Sequence, residues 1–272
     1  MEKVIWPGTA NALGINGCNF IQLSDIFSSD EFRELIECII HSCNKMEWLI
    51  EDGEIVLPSL ETLDLFDLHS FKCLCKEKAH EETLKNLRHL CIVKCHKLKY
   101  LISIDLLVNN LQDLQEISIL DCNIMEDIIS CKSSAALTTP SKLKTLKLQN
   151  LPTLASIYQG KLVCDSLCDI QIVLCPKLKK LPFLINNKPP VSMRIMASQE
   201  WWKMLEWDDL QLKELLQPFF ENGSMDWASR QLERVNLRGK SKGEEGHTRG
   251  KTSRSSLVLI RQILLSPPLV YI

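Results

Sequence analysis

One pattern of spacings recurs through most of this chain. From Leu87, apolar residues or a cysteine stand at +3 (Leu90), +5 (Ile92), +8 (Cys95), +11 (Leu98) and +14 (Leu101). The same offsets from Leu35 give Cys38, Ile40, Cys43, Met46 and Leu49. From Leu60 they give Leu63, Leu65, Leu68, Phe71 and Leu74. From Leu114 they give Ile117, Ile119, Cys122, Met125 and Ile128, and from Leu143 they give Leu146, Leu148, Leu151, Leu154 and Ile157. Leu167 yields Ile170, Ile172, Cys175, Leu178 and Leu181, and a weaker copy from Ala10 yields Leu13, Ile15, Cys18 and Ile21. The anchors 10, 35, 60, 87, 114, 143 and 167 lie 24 to 29 residues apart. Neither a lone helix nor an alternating strand produces such intervals.

Period and core phrase, L-x-x-L-x-L-x-x-C, match leucine-rich repeats. The L-x-L piece makes a short strand with two side chains pointing inward and the one between them pointing out. The chain then turns and returns along the other side, where the +11 and +14 residues close the core. One coil cannot bury its apolar face alone, so coils stack. The expected fold is an α/β solenoid: a leucine-rich repeat horseshoe with a parallel concave sheet, an irregular convex side, a C-terminal helical cap and a disordered tail. The expected divisions are an N-terminal flank at 1–9, about seven coils over 10–184, a capping segment at 185–222 and a poorly ordered tail at 223–272. Each inward side chain contributes roughly 1.5–3 kcal/mol. An outward one such as Lys147 is expected to matter by less than about 0.5 kcal/mol.

The +8 position lies where the strand turns inward. A small side chain with a weak S–H donor suits it, so Cys18, Cys43, Cys95, Cys122 and Cys175 form a structural column, with Leu68 and Leu151 replacing cysteine in two coils. The twelve cysteines accompany no export signal, which points to free thiols in a reducing, cytoplasmic setting. No run of about 18 apolar residues marks a membrane span. Charge is uneven: residues 1–67 carry thirteen acids against three basic residues, and 72–180 reverse the balance. That asymmetry suggests protein or self contact more than nucleic acid.

Residues 75–83 and 130–141 are polar and read as loops that lengthen two coils. The phrase SQEWWKMLEWDDLQLKELLQPFF, 198–220, reads as a closing helical segment, with Ser198 as its cap and Trp201, Trp202, Leu205, Leu212, Leu215 and Leu216 available for burial. The last stretch, LVLIRQILLSPPLVYI, is apolar but broken by Arg261 and a Pro pair. It reads as a short docking helix or as out-of-frame coding. Residues 246–252, GHTRGKT, have three residues between the glycines where a phosphate loop needs four. Cys73, Cys75, Cys91 and Cys95 with nearby histidines fit no zinc spacing. No catalytic motif occurs. No enzyme activity, cofactor, metal or small-molecule substrate is expected.

Irregular coil lengths, the C-x-K-L-K-x-L phrases at Cys95–Leu101 and Cys175–Leu181, the L-P-x-L phrases at Leu57–Leu60 and Leu151–Leu154, and EWWKMLEWDD at 200–209 resemble plant intracellular coiled-coil, nucleotide-binding, leucine-rich-repeat disease resistance proteins. The resemblance covers about residues 10–220 and only their repeat region. It implies a protein–protein interaction module in the defense response, sensing a pathogen effector or guarded host protein, or holding a nucleotide-binding domain inactive. The candidate contact residues are the outward ones of the concave strands: Glu61, Asp64, Phe66, Arg88, Cys91, Val93, Lys94, Glu116, Ser118, Leu120, Asp121, Lys144, Lys147, Gln149, Gln171 and Val173. Phe66, Val93, Leu120 and Val173 are expected to form an exposed apolar stripe. Alternatives are a ubiquitin-ligase substrate adaptor, for which residues 1–34 lack a recruiting helical module, and a truncated receptor remnant without function.

Overall fold

The structure, a computed structural model, describes the strand Lys3–Ile5 and residues 11–26, 32–51, 55–76, 78–131, 138–186 and 189–223. The tail expected at 223–272 lies, beyond Gly223, outside the described residues, and so does the phosphate-loop-like phrase at 246–252.

Each L-x-L becomes a short strand. In chain order these are Ala12–Asn16, Glu37–His41, Thr62–Phe66, His89–Val93, Glu116–Leu120, Thr145–Gln149 and Asp169–Val173, hereafter the strands of coils 1 to 7. They pair in parallel and in register, so Leu63 faces Leu90 and Leu65 faces Ile92 across adjacent coils. The inward pairs are buried throughout: Leu13 and Ile15, Leu63 and Leu65, Leu146 and Leu148, and Ile170 and Ile172 are each at most 1% exposed. The expected parallel solenoid is therefore the fold.

A feature the spacing does not announce ends every one of these strands. The residue at +7 is in the left-handed region in all seven coils: Gly17, Ser42, Asp67, Lys94, Asp121, Asn150 and Leu174, with φ between 52° and 68°. This bend throws the next residue inward. In coils 1 to 6 the N–H of the bend residue at +7 donates to the last strand carbonyl of the following coil, at 2.9 to 3.0 Å. The inward +8 cysteines then reach back. Cys18, Cys43, Cys95, Cys122 and Cys175 donate Sγ–H to the carbonyl two residues earlier, at 3.4 to 3.7 Å. A thiol suits this column because it fills an apolar site while meeting a carbonyl. Leu68 and Leu151 fill the same volume without the bond, and both are fully buried.

The structure departs from the sequence expectation in four places. Coil 1 does not bury Ile21, which is 46% exposed; Phe20 and Leu23 turn inward instead, because a 3-10 turn at Leu23–Asp25 shifts the return path. The polar insertions are not simply loops. Thr83 and Leu84 are fully buried, and Thr138–Pro140 pairs in parallel with Lys161–Val163. A helix at Ile104–Asn109, capped by Ser103, closes coil 4. Finally, the concave sheet does not stop with the repeat pattern at 184: Arg194–Ala197 adds the strand of coil 8 and Phe220–Asn222 follows it, while Lys3–Ile5 joins coil 1 antiparallel, giving ten strands. Backbone pairing needs no Leu at every offset, so the sheet outlasts the motif.

Between coil 8 and the last strand runs the capping segment. Ser198 Oγ accepts from the Trp201 N–H at 3.1 Å and starts the helix Gln199–Met204; Asp209 starts Leu210–Leu216 in the same way, through the Gln211 N–H. Trp201 and Trp202 lie 7% and 4% exposed, and Leu216 is fully buried; Leu212 packs on the core and Leu215 is half-buried. Such a segment covers the apolar end that stacking alone leaves open. On the convex side, ion pairs link coils: Glu47 with Lys72 at 2.5 Å, Glu51 with Lys76, and Asp113 with Lys142 at 2.5 Å. The acidic start and the lysine-rich middle of the chain are partly partners of each other.

Candidate interaction face

The outward residues of the concave strands fall into two columns. Asp64, Cys91, Ser118, Lys147 and Gln171 are register neighbours, and so are Phe66, Val93, Leu120, Gln149 and Val173. The structure brings all the candidate residues onto this face or its two margins. It does not leave them equally accessible. Arg88, Lys94 and Lys144, at the margins, are exposed; Glu61, Asp64, Phe66, Cys91, Glu116, Asp121, Lys147 and Val173 are half-buried.

Five candidates are buried: Val93 at 7%, Ser118 at 8%, Leu120 at 6%, Gln149 at 7% and Gln171 at 5% exposure. The expected exposed apolar stripe is thus corrected. Phe66 and Val173 keep part of their surface, while Val93 and Leu120 between them do not. Parallel neighbours stand only about 4.8 Å apart, so a bulky side chain is covered by those above and below it. Pointing outward from a concave sheet is not the same as being exposed.

What fills the face is a polar network. Glu116 Oε1 accepts from Lys147 Nζ at 2.6 Å and from Ser118 Oγ at 3.2 Å, while His89 Nδ1 lies 3.5 Å from Oε2. Burial pushes the Glu116 carboxyl up, but Lys147, His89 and Ser118 outweigh it and hold the group below its ordinary range. In coil 7, Asp169 accepts from Gln171 Nε2 at 2.8 Å and pairs with Arg194 at 3.4 Å. Towards the other end, His41 Nδ1 meets Asn16 Oδ1 at 3.2 Å and its ring lies 6.4 Å from that of Phe66. Burial lowers the His41 pKa; Asp67 opposes this and Lys94 adds to it. Along the trailing margin Ser42 donates to Asp67 at 3.3 Å and Asn150 donates to Asp121 at 2.8 Å.

His41, His89, Asp169, Arg194 and Leu174 belong to this face and were not among the candidates. His89 and Asp169 stand at +2 from their anchors, and His41 at +6, so the offsets alone locate them. Arg194 needed the eighth strand, and Leu174 needed the bend. Leu174 is a bulky residue in the left-handed region with 50% exposure.

Nothing on this face resembles an activated nucleophile. Burial pushes the Cys122 and Cys175 thiols up to about 12, and Cys43, Cys91 and Cys95 also upward, so these sulfurs stay protonated and inert. Cys43 is raised first by its bond with Cys18 in the same column and then by burial. Among the described residues no cluster of three or more His, Cys, Asp or Glu is arranged to hold a metal ion, and no helix is long and apolar enough to cross a membrane.

Comparison with known proteins agrees with the coils. Residues 82–186 match a family described as plant disease resistance protein RPS2-like, leucine-rich repeats. Disease resistance protein At4g27190 of Arabidopsis thaliana is 31% identical over 167 residues, 61% of this chain and 16% of that protein. Disease resistance protein SUMM2 of the same plant is 30% identical over 196 residues, 64% of this chain and 21% of that protein. The probable disease resistance protein At5g47260 is 30% identical over 204 residues, or 71% of this chain and 19% of that protein. The chain spans only about a fifth of the length of these relatives. The stacked coils are a leucine-rich repeat solenoid, and residues 82–186 of it match the repeats of plant disease resistance proteins.

Proposed function

We propose that the chain works as a protein-interaction module of a plant disease resistance protein in the cytoplasm, with the concave face and its margins as the contact surface. Its partner is a pathogen effector, a guarded host protein or a nucleotide-binding receptor domain that it holds inactive. The observation that supports this most is the Glu116–Lys147–His89 network together with Asp169–Arg194. It is a set of polar and charged groups across coils 4 to 8 that is only half-covered, flanked by exposed Arg88, Lys94 and Lys144. Charge patterns of this kind select partners and set association rates.

The test uses a nucleotide-binding domain of a matching receptor and candidate effectors as purified partners. The wild-type chain is compared with Arg88→Glu/Lys144→Glu, both at exposed margin positions. We expect the double variant to melt within about two degrees of wild type, since surface changes act within ±0.5 kcal/mol. Affinity should fall by tenfold or more for the partner that uses this face. Unchanged affinity for every partner the wild type binds defeats the proposal.

A further inference from the structure

The capping segment leaves a cleft open. Strand Phe183–Leu184 is the edge of the convex three-stranded sheet formed with Thr138–Pro140 and Lys161–Val163. The turn between the two capping helices lies against that edge. Between them is a cleft of about 160 Å³, lined by Leu181, Phe183, Leu184, Leu205, Trp207 and Leu212. This is the size of an apolar cavity that admits a benzene ring, enough space for one or two apolar side chains. Around it the same segment shows more apolar surface: Leu210 is 69% exposed and Met204 51%. A cap whose role is to cover an apolar end does not gain by displaying one.

The rim carries three lysines and three carboxylates, but the lysines gather on two of the carboxylates. Asp208 is held by Lys180 at 2.7 Å and Lys161 at 3.1 Å, and Glu206 stands 3.9 Å from Lys179. The third rim carboxylate, Asp209, accepts from the Gln211 N–H at 2.8 Å and has no cation within salt-bridge distance among the described residues. The cleft therefore suits an apolar group that brings one positive charge with it.

The chain carries such a segment. Residues 257–265, LVLIRQILL, hold one charge, Arg261, and Leu257, Ile260 and Leu264 recur beside it at helical spacing. The chain leaves the described structure at Gly223, directly after the capping segment, and 33 residues separate that point from Leu257. That many residues suffice to reach roughly 30 Å. Tethering at that distance holds the segment at an effective concentration on the order of millimolar.

We infer that residues 257–265 of this same chain dock on the cleft, seating Ile260 and Leu264 against Leu184, Trp207 and Leu212 and bringing Arg261 to Asp209. The inference uses no part of the concave face and stands apart from the function proposed above.

Hydrogen–deuterium exchange of the full chain tests it, read at 181–184 and 205–212. Ile260→Asp/Leu264→Asp and Arg261→Glu are compared with wild type, and thermal melting checks that the coils stay folded. We expect the apolar double variant to speed exchange in both segments by about tenfold or more, and Arg261→Glu by a smaller factor in the same segments. Leu212→Asp, made from the cleft side, should leave 257–265 as unprotected as the tail variants do. Exchange unchanged in the tail variants overturns the inference. Protection that disappears on tenfold dilution, with a dimer seen by light scattering, also overturns it and assigns the cleft to a second copy.

Discussion

At the residue scale, inward and outward positions do not divide into important and unimportant ones. Leu90 and Leu146 are at most 1% exposed, and replacing either with Ala should cost about 2–5 kcal/mol in urea unfolding, the range for truncating a buried leucine. Lys147 is the instructive case. Its outward place suggests a cost below about 0.5 kcal/mol, yet its Nζ lies 2.6 Å from Glu116 and the pair is half-buried. Lys147→Ala removes a charge-assisted bond and leaves the carboxylate with fewer donors, so a loss of about 1 kcal/mol is expected. Glu116 also gives a pH signature. Its folded pKa is depressed, so the folded state binds the proton less tightly than the unfolded chain. Its contribution is present above the ordinary carboxylate pKa and is lost as the pH falls through the lower, folded value. The stability gap between wild type and Glu116→Gln should therefore shrink in acid; a gap that stays constant across that range contradicts the assignment. Leu174 works the other way. A bulky residue at φ 55° is strained, so Leu174→Asn should raise the melting temperature slightly.

At the element scale, each coil is a strand, a left-handed bend and a return path, and the three are not equally visible in the sequence. The strand and the cysteine column follow from spacing. The bend does not: Gly17, Asp67, Asp121 and Asn150 are turn-forming types, but Lys94, held by its bond to the Leu120 carbonyl, and Leu174 occupy the same conformation. The helix Ile104–Asn109 was also hidden: Ser103 caps it, but it runs straight on from the strand Tyr100–Ser103 inside the span of a coil. The capping helix was readable because Ser198 precedes it, and Ser198→Ala should cost about 1 kcal/mol, measured by thermal melting. The insertion at 75–83 is a further element that only contacts explain. Asn110 Nδ2 donates to the His80 and Thr83 carbonyls at 2.8 and 2.9 Å, clamping it down beside a fully buried Leu84.

At the scale of the whole molecule, the chain behaves as a stack in which each coil depends on its neighbours. The cysteine column runs through that stack, buried and protonated. Iodoacetamide should leave Cys43, Cys95, Cys122 and Cys175 unmodified under native conditions and label them together as urea unfolds the stack, read by peptide mass spectrometry. Labelling of one of them well before the others would show that the coils open separately. The cap sets the other boundary. Its indoles, with Trp202 stacked 4.6 Å from Phe220, tie the last strand of the sheet to the capping helix.

The offsets of Leu, Ile and Cys decide by themselves that this chain is a parallel solenoid, which side chains point inward, and why a thiol recurs at +8. They do so because burying an apolar face with a fixed period admits few solutions, and a local spacing records it. The accessibility of the outward residues is different. Whether Val93, Leu120 and Gln149 are exposed depends on the bulk of the residues one coil above and below, 24 to 29 positions away in sequence. The continuation of the sheet through Arg194–Ala197, the charge network around Glu116 and the cleft beside Phe183 arise in the same way. Each is a relation between coils, and only stacking brings its members together.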